Sequence, residues 1–290
     1  MKKRIWKYLV PSLTLAAGIA IATAGFSMGA KEAYTQQLNL TNIDSVIPTD
    51  GVASLNIEVG YADFEITASN DVDGIELSAE NISRDYLTYS TYNNILNLKY
   101  SINKWYEISS VPTLAKKSSK IIITVPADIA LQDIQIKSGI GEMTVNYLSA
   151  ENIYIDCGLG QNILSTLKAD YIEINGSAGD TYAENLTSDH IYVAGNSGNT
   201  SMLNFQTDKA EFTGGTGDVS VSGVIKGDSR IKCGMGDIRA DIFGNVNDYS
   251  LYIPKGEAEI NGKKMTGQTE GKHNMDIVTG IGDVEINFRQ

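Results

Sequence analysis

The sequence predicts an all-β protein: a single-chain parallel β-solenoid (β-helix) with coils of about 19 residues, preceded by one N-terminal transmembrane helix. Three observations lead to this prediction. Glycines recur at a constant spacing through the second half of the chain. The residues before each glycine alternate between apolar and polar, and the N-terminus carries a basic segment followed by a long uncharged one.

The glycine series defines the repeat. Six glycines follow one another at intervals of 19 residues, and a seventh closes the series after a less regular stretch. A fixed interval of this length is typical of proteins in which each copy is one supersecondary unit stacked on the last. We expect backbone at positive φ, or close approach of neighbouring turns, at these structural repeat corners. The series is Gly141, Gly160, Gly179, Gly198, Gly217, Gly236 and Gly282.

Each repeat contains two short strand patterns. Apolar residues stand seven and five positions before the glycine, as Ile153 and Ile155 do before Gly160, with a polar or amphipathic residue between them. This period of two indicates a strand that buries one face. The positions four and seven residues past the glycine are also apolar and are predicted to point inward. The latter set comprises Leu148, Leu167, Leu186, Phe205, Val224 and Phe243.

A polar residue follows every glycine of the series. One interpretation is a row of carboxylates that binds Ca²⁺. The other is that Asp and Asn suit a turn beside glycine, because their side chains hydrogen-bond local backbone. The turn interpretation is favoured, since Gln161 interrupts the row and the glycine spacing differs from that of Ca²⁺-binding β-roll repeats. The row is Glu142, Gln161, Asp180, Asn199, Asp218, Asp237 and Asp283.

The two cysteines, Cys157 and Cys233, are four repeats apart. At about 4.8 Å per stacked turn they would be separated by roughly 19 Å, well beyond the roughly 7 Å limit for the Cα atoms of a disulfide. We therefore predict two unpaired cysteines that fill small apolar sites.

The first 30 residues have the pattern of a membrane anchor. Basic residues in 1–7 precede an uncharged run over residues 8–30, which as a helix would be about 34 Å long, enough to cross a bilayer core of about 30 Å. The basic end is expected to stay cytoplasmic, so the chain would cross the cell membrane once, with its C-terminal domain extracellular. The alternative is a signal peptide cleaved at Ala22-Thr23-Ala24, which would make the protein secreted.

The rest of the chain divides into two parts. Residues 31–50 are predicted to be a stalk, and the β-solenoid is predicted over 51–290. Its first coils, at 51–130, are irregular, and its regular repeats occupy 131–290. Within the first part, the corner at 60–63 resembles a degenerate copy of the repeat corner.

Two segments lack a strand pattern. Residues 103–119 show no clear period and are predicted to be an inserted loop, in which Trp105 and Tyr106 form a candidate contact site. Residues 261–275 are predicted to be a polar loop near the C-terminus.

The sequence contains no recognisable catalytic or cofactor site. His190 and His273 lie in different coils without a cysteine or carboxylate cluster at metal-ligand spacing, and no nucleophile elbow, phosphate loop or dinucleotide fingerprint is present. We expect no catalytic residue, cofactor, metal or small-molecule substrate; Asp180, Asp218 and Asp237 would be the candidate acids of an enzyme. The formal net charge of −12 argues against nucleic-acid binding.

Several segments resemble a known bacterial family. Residues 121–126 and 134–141, the corner at 233–238 and the corner at 279–284 are similar to the strands and Ser-Gly-x-Gly-Asp-like corners of the putative-adhesin β-strand-repeat family, the DUF4097 domain. The resemblance covers roughly residues 50–290. It implies an envelope-exposed protein, often with an N-terminal membrane helix, and it transfers no catalytic or ligand residues. Asn or Gln at the Asp position of two copies departs from the family pattern.

These patterns together predict a membrane-anchored, extracytoplasmic and non-catalytic β-solenoid. It would serve adhesion, scaffolding or envelope sensing at the bacterial cell surface. It would contact the membrane through residues 8–30 and take a cell-wall component or an envelope protein as partner. Two alternatives stay open: a self-assembling, bactofilin-like polymer and a polysaccharide-active β-helix enzyme.

Overall fold

The computed structural model describes residues 40–101 and 119–289. These residues form twenty β-strands and two single-turn 3-10 helices, Arg84–Tyr86 and Val246–Asp248, so the all-β prediction is confirmed for the described part of the chain. No helix in this part is long and apolar enough to span a bilayer. The predicted span at 8–30 lies outside the described residues.

The middle of the chain forms parallel ladders with a constant register. Ile153 pairs with Ile134 on one side and with Ile172 on the other, and each step spans 19 residues. The glycine spacing is therefore the register of strand pairing, and we call one level of paired strands a rung. The strands are β8 (Asp133–Ile140), β9 (Met143–Asn146), β10 (Asn152–Asp156), β11 (Asn162–Asn175), β12 (Thr181–Ala194), β13 (Thr200–Thr216), β14 (Val219–Ile225), β15 (Ser229–Met235) and β16 (Ile238–Phe243).

Apolar side chains at equivalent positions form buried columns inside the stack. Every second side chain of a strand points to the same face, so the alternation before each glycine places two residues of each rung in the core. Because rungs are about 4.8 Å apart, each of these side chains packs on its equivalent in the next rung. The two columns comprise Leu55, Ile134, Ile153, Ile172, Ile191 and Ala210, and Ile57, Ile136, Ile155, Ile174, Val193 and Phe212.

A second corner in the middle repeats lies in the left-handed α region. Tyr147, Thr166, Asn185 and Asn204 occupy it, with φ between 53° and 57°. Asparagine suits this conformation, and Asn204 Nδ2 donates a hydrogen bond to Asn185 Oδ1 one rung away. Thr166 is unfavourable there, because its branched Cβ crowds the backbone at positive φ.

The repeat that follows Asn204 has no residue at this second corner. Between Leu203 and Phe205 the partner strand supplies no residue opposite Asn204, and pairing shifts by one. A one-residue shift sends the following side chains to the other face of the strand. The inward placement predicted for Val224 and Phe243 is therefore wrong: Val224 is partly exposed, and Phe243 is 46% exposed.

The first rungs are not stacked in chain order. Seven strands precede the regular repeats: β1 (Leu40–Ile47), β2 (Ser54–Tyr61), β3 (Asp63–Ser69), β4 (Ile75–Ser83), β5 (Leu87–Tyr92), β6 (Ile95–Tyr100) and β7 (Lys120–Pro126). β2 lies between β8 and β6, and β3 lies between β9 and β7. The terminal rung therefore consists of β6 and β7, which come later in the chain than the rung they cover. β1, β4 and β5 add antiparallel pairs at this end.

Part of the predicted stalk at 31–50 belongs to the sheet. Residues 40–47 form β1, which pairs antiparallel with β4 from Leu40 beside Ser83 to Ile47 beside Ile75. Only the last residue of β1 is buried, so the strand has little of the apolar alternation that marks strands in a sequence.

The C-terminal rungs are also out of chain order. Four strands complete the described chain: β17 (Tyr249–Ile260), β18 (Lys263–Gln268), β19 (His273–Ile281) and β20 (Val284–Arg289). β19 and β20 pair with β15 and β16 at an interval of 46 residues, and β17 lies beyond them, parallel to both. β18 runs antiparallel to β17 within the segment predicted to be a polar loop. Its side chains are almost all exposed, so no apolar alternation marks it.

Thr166→Asn is expected to stabilise the protein. It removes a β-branched side chain from φ 55°, which relieves about 1 kcal/mol of strain, and it places an amide beside Asn185. The melting temperature, measured by differential scanning calorimetry, should rise. Asn185→Thr is the matched control and should lower it. Equal melting temperatures for the parent and both variants would contradict strain at this corner.

Candidate binding surface

The predicted corner glycines form one column along an edge of the stack. Six of the seven have φ between 121° and 145°, a region that disfavours other residues, and Gly179 is the member outside it. A Cβ added to Gly236 would overlap the carbonyl oxygen of Gly217, and one added to Gly282 would overlap that of Gly236. Backbone contact as well as conformation therefore requires glycine here, which makes the column structural.

At the degenerate corner and in four of the regular repeats, a short polar residue at the corner caps the backbone of a neighbouring rung. Its Oδ1 atom accepts a hydrogen bond, at 2.7–3.0 Å, from the amide of the equivalent residue one rung further on. This partner belongs to the next rung, whereas the turn interpretation expected a local one. Among the described residues, no group of three or more His, Cys, Asp or Glu side chains is placed to hold a metal ion. The bonds join Asp63 to Glu142, Asp180 to Asn199, Asn199 to Asp218, Asp218 to Asp237 and Asp237 to Asp283.

The predicted contact loop joins the stack at this same edge. Ser101 lies two residues before the loop and beside Gly60, and the carbonyl of Ser119, the last residue of the loop, accepts a hydrogen bond from the amide of Asp63 at 2.9 Å. Both ends of the segment are thus fixed next to the corner column. Trp105 and Tyr106 themselves lie outside the described residues.

A surface that the sequence patterns did not single out lies on the outer face of β10, β11 and β12. It consists of Tyr154, Tyr171, Glu173, His190 and Tyr192, which we call the tyrosine patch. Glu173 pairs with Tyr154 on one side and with Tyr192 on the other, and Tyr171 pairs with His190. All five side chains are partly exposed, on strands whose opposite face is the buried core.

The rings of the patch pack against one another. The ring centroid of Tyr171 lies 5.7 Å from that of Tyr154 and 5.3 Å from that of His190. Tyr171 Oη donates a hydrogen bond to Glu173 Oε2 at 3.1 Å. Partial burial, together with this bond and the charge of Glu173, raises the pKa of Tyr171 to about 12. The Tyr171 hydroxyl is therefore a neutral donor at physiological pH.

Polar side chains border the patch on one side. Asn175 Nδ2 donates hydrogen bonds to Glu173 Oε1 at 2.8 Å and to Asp156 Oδ1 at 3.1 Å. Lys137 Nζ lies 3.2 Å from Asp156 Oδ2. We call Lys137, Asp156 and Asn175, which share one outward column, the polar margin. Their contacts hold hydrogen-bonding groups in fixed positions beside the rings.

The signal for the patch lies in the outward columns of the repeat. Tyr154 and Tyr192 occupy the position between the two buried residues of their strands, and Tyr171 and His190 occupy the position two residues earlier. The alignment on the glycines that locates the inward columns also aligns these residues. They escaped prediction because apolar alternation identifies the core and treats every outward residue alike.

The family of this chain is shown by a match of its sequence. The sequence matches the family described as Toastrack DUF4097 over residues 52–287. The chain belongs to the Toastrack DUF4097 family. The resemblance identified in the sequence is thereby confirmed. No curated protein matches this Toastrack chain significantly.

Solved structures resemble the Toastrack chain at low sequence identity. A "putative adhesin" from Bacteroides fragilis NCTC 9343 has a TM-score of 0.55 and 16% identity, with 86% of this chain and 97% of that chain covered. A "putative adhesin" and a "putative lipid binding protein", both from Parabacteroides distasonis ATCC 8503, have TM-scores of 0.47 and 0.45 and identities of 13% and 15%. The two alignments cover 87% and 88% of this chain, respectively, and 98% of each of those chains. The first similarity shows a shared fold and nothing about function.

Both cysteines of the Toastrack chain are unpaired and buried, as predicted. Burial is the main cause that raises the pKa of the Cys157 thiol to about 12, and it also raises the pKa of Cys233. Cys233 Sγ donates a hydrogen bond to the carbonyl of Gly217 at 3.2 Å. Thiols that stay protonated are poor nucleophiles, which fits a filling role.

A charged cleft of about 330 Å³ lies between β16, β17, β18 and β20. Arg239 in its wall forms ion pairs with Asp218 at 3.5 Å and with Asp237 at 2.8 Å. Its charged groups thus partly neutralise one another, and none of its lining residues is aromatic, so the tyrosine patch is the stronger candidate for a binding surface. The lining residues are Asp237, Ile238, Arg239, Ala258, Glu259, Lys264, Asp283, Val284 and Glu285.

Gly236→Ala is expected to destabilise the protein far more than Gly267→Ala. Both glycines have positive φ, 141° and 86°, which costs an alanine roughly 1–2 kcal/mol. A Cβ at Gly236 would also meet backbone, which adds roughly 1–3 kcal/mol of overpacking, whereas nothing lies within 4 Å of a Cβ at Gly267. Urea denaturation followed by circular dichroism measures the difference. Equal losses in the two variants would argue against close stacking of the corners.

The raised pKa of Tyr171 predicts a loss of stability at alkaline pH. The ordinary tyrosine value is 10.0, and the folded value is about 12, so between these pH values the unfolded chain ionises first. The free energy of unfolding therefore falls as the pH rises through this window. Tyr171→Phe should lessen that fall, and Tyr92→Phe, at an exposed tyrosine, should not. Urea midpoints across the window measure both; identical slopes in the two variants would contradict the prediction.

Proposed function

We propose that this Toastrack chain is a membrane-anchored, extracytoplasmic β-solenoid that acts without catalysis in recognition at the bacterial cell surface, in adhesion, scaffolding or envelope sensing. The tyrosine patch carries this proposal. Four aromatic rings lie on the solvent side of strands that are paired on both edges and face the core on their other side. Tyrosine combines a large apolar face with a polar tip, which suits a recognition surface.

The parallel register supports a solenoid as the form of this module. From β8 to β16 the rungs follow at 19-residue steps, apart from the one-residue shift between β13 and β14, so each repeat rests on the last. The outward residues of β8 to β12 therefore form straight columns. Such a stack is a rigid platform for an extended contact surface.

The N-terminal segment supports a position at the membrane. Residues 8–30 are uncharged and residues 1–7 are basic, so the chain would cross the bilayer once with its strands outside the cell. Cleavage of the segment would release the protein instead. Either outcome would put the tyrosine patch outside the cytoplasm.

The acids available for catalysis already have structural partners. Asp180, Asp218 and Asp237 each accept a hydrogen bond from the backbone amide of the next rung. Asp218 and Asp237 also pair with Arg239. A general acid or base must be directed at the substrate, so these contacts favour binding without turnover.

The two ends of the stack favour a single chain over a bactofilin-like polymer. β5 pairs antiparallel with the terminal strand β6, and β18 pairs antiparallel with β17 at the other end. β18 begins with Lys263 and Lys264, and its side chains are almost all exposed. Charged, polar edge strands discourage the addition of another chain.

The proposal predicts surface display and adhesion that depends on the patch. Intact bacteria producing the full chain with a C-terminal epitope tag are expected to bind an anti-tag antibody and to adhere to immobilised cell-wall material. Tyr154→Ser combined with Tyr192→Ser should reduce adhesion about tenfold, because aromatic anchors contribute most of the affinity of such surfaces.

Tyr92→Ser combined with Tyr252→Ser is the matched control, since these tyrosines are exposed but lie outside the patch. Cells are compared at equal antibody labelling, which corrects for differences in folded protein. No labelling of intact cells would overturn the anchored surface position, and tag recovered in the medium would indicate cleavage. Equal adhesion by the two double variants would overturn recognition through the patch. Soluble sugars released from cell-wall material by the purified chain would favour the enzyme.

A further inference from the structure

The spacing within the tyrosine patch fits a chain-like ligand. Tyr154 and Tyr192 share a column with Glu173 between them, so their backbones are two strand spacings, about 9.6 Å, apart. Tyr171 and His190 occupy the neighbouring column on consecutive rungs. One strand spacing is close to the length of one sugar in an extended glycan, so successive sugars would meet successive rungs.

The arrangement of the rings suits a flat ligand. The C–H groups on one face of a sugar ring are weakly positive and pack on the negative face of an aromatic ring. The Tyr171 ring is tilted by 45° to that of Tyr154, and His190 stands edge-on to it at 81°. The three rings lie on the consecutive strands β10, β11 and β12, so they form a row that crosses the strands.

The groups beside the rings suit hydroxyl groups. Glu173 accepts hydrogen bonds from Tyr171 and Asn175, which hold its carboxylate in place, and each oxygen keeps a further lone pair for a sugar hydroxyl. Asp156 and Lys137 add an acceptor and a donor next to it. Apolar faces with a few fixed polar groups beside them are the usual composition of a ligand site.

The charge of this face disfavours an anionic ligand. In the three outward columns that contain the tyrosine patch and the polar margin, from β8 to β13, carboxylates outnumber ammonium groups, and the whole chain has a net charge of −12. Such an excess repels polyanions and leaves uncharged ligands unaffected. The acids are Asp133, Asp156, Glu173 and Glu211, and the bases are Lys137 and Lys209.

We infer that the tyrosine patch binds an uncharged glycan chain that runs across β10, β11 and β12. Its sugars stack on Tyr154, Tyr171 and Tyr192, and its hydroxyls bond to Glu173 and the polar margin. This inference rests on the proposed surface recognition and names the ligand class for it.

Binding is tested by isothermal titration calorimetry on the full chain in detergent micelles. Cellohexaose and the hexamer of N-acetylglucosamine are the neutral probes, and hexagalacturonate is the anionic probe. A neutral hexamer is expected to bind, and Tyr154→Ser or Tyr192→Ser should each weaken binding about tenfold. Tyr154→Phe keeps the ring and should retain most of the affinity. Tyr92→Ser is the control outside the patch, and melting temperatures of all variants are measured on the same samples.

Glu173→Gln tests the effect of the negative charge at this position while the shape of the side chain is kept. The amide keeps an acceptor between the two tyrosines of its column but removes the negative charge at the centre of the patch. Neutral binding should fall several-fold, and binding of hexagalacturonate should rise. A parent chain that binds hexagalacturonate as tightly as the neutral hexamers would overturn the choice of an uncharged glycan.

Failure of this inference and failure of the proposed function give different results. Cell adhesion that depends on the patch, without binding of either neutral hexamer, would overturn the glycan assignment and leave surface recognition intact. Hexamer binding by a chain that is not displayed on cells would overturn the surface role and leave the glycan site intact. Affinity lost equally in Tyr92→Ser would place binding outside the patch and overturn the inference.

Discussion

Close contact between backbones at one repeated corner underlies the whole architecture. Parallel rungs lie about 4.8 Å apart, so each position of a repeat stands directly on its equivalent in the next. At the corner this brings the carbonyl oxygen of Gly217 to the place where a side chain on Gly236 would begin. Glycine alone allows that approach, and keeping the corners in line fixes the repeat length, the parallel register and the continuity of the buried columns.

The same stacking gives each position of the repeat its own chemical requirement. Inward positions are apolar, the residue after the glycine is a short acceptor in four of the repeats, and the left-handed corner favours asparagine. Asp180 shows the second requirement, because its Oδ1 reaches the amide of Asn199 at 2.7 Å. Outward positions carry no such requirement, since the backbone alone pairs the strands. Tyr154, Tyr171 and Tyr192 can therefore gather on one face without disturbing the core.

The rungs at the ends of the stack are not in chain order, unlike those in its middle. At the C-terminal end the chain leaves one level empty, forms the terminal level with β17 and then fills the gap with β19 and β20. At the N-terminal end β6 and β7 are instead added outside β2 and β3 before the regular repeats begin. This places antiparallel strands over the last rungs, where a repeat array needs a cap. The recognition proposed for this chain is therefore assigned to a lateral face of the stack rather than to its ends.

Residue spacing along the chain was enough to establish the all-β class, the 19-residue register, the corner glycines and the unpaired cysteines, because each of these depends on local alternation or on a fixed interval. It was not enough to show that the corner of Gly282 stacks directly on that of Gly236, that β1 and β18 join the sheet, or that Phe243 faces outward. The 19-residue register does make Tyr171 and His190 neighbours, and only the packing of their rings required the structure. The stacking of Gly282 on Gly236, the added strands and the outward Phe243 depend on which rungs are neighbours and on a one-residue shift in pairing, and alternation along a single strand records neither.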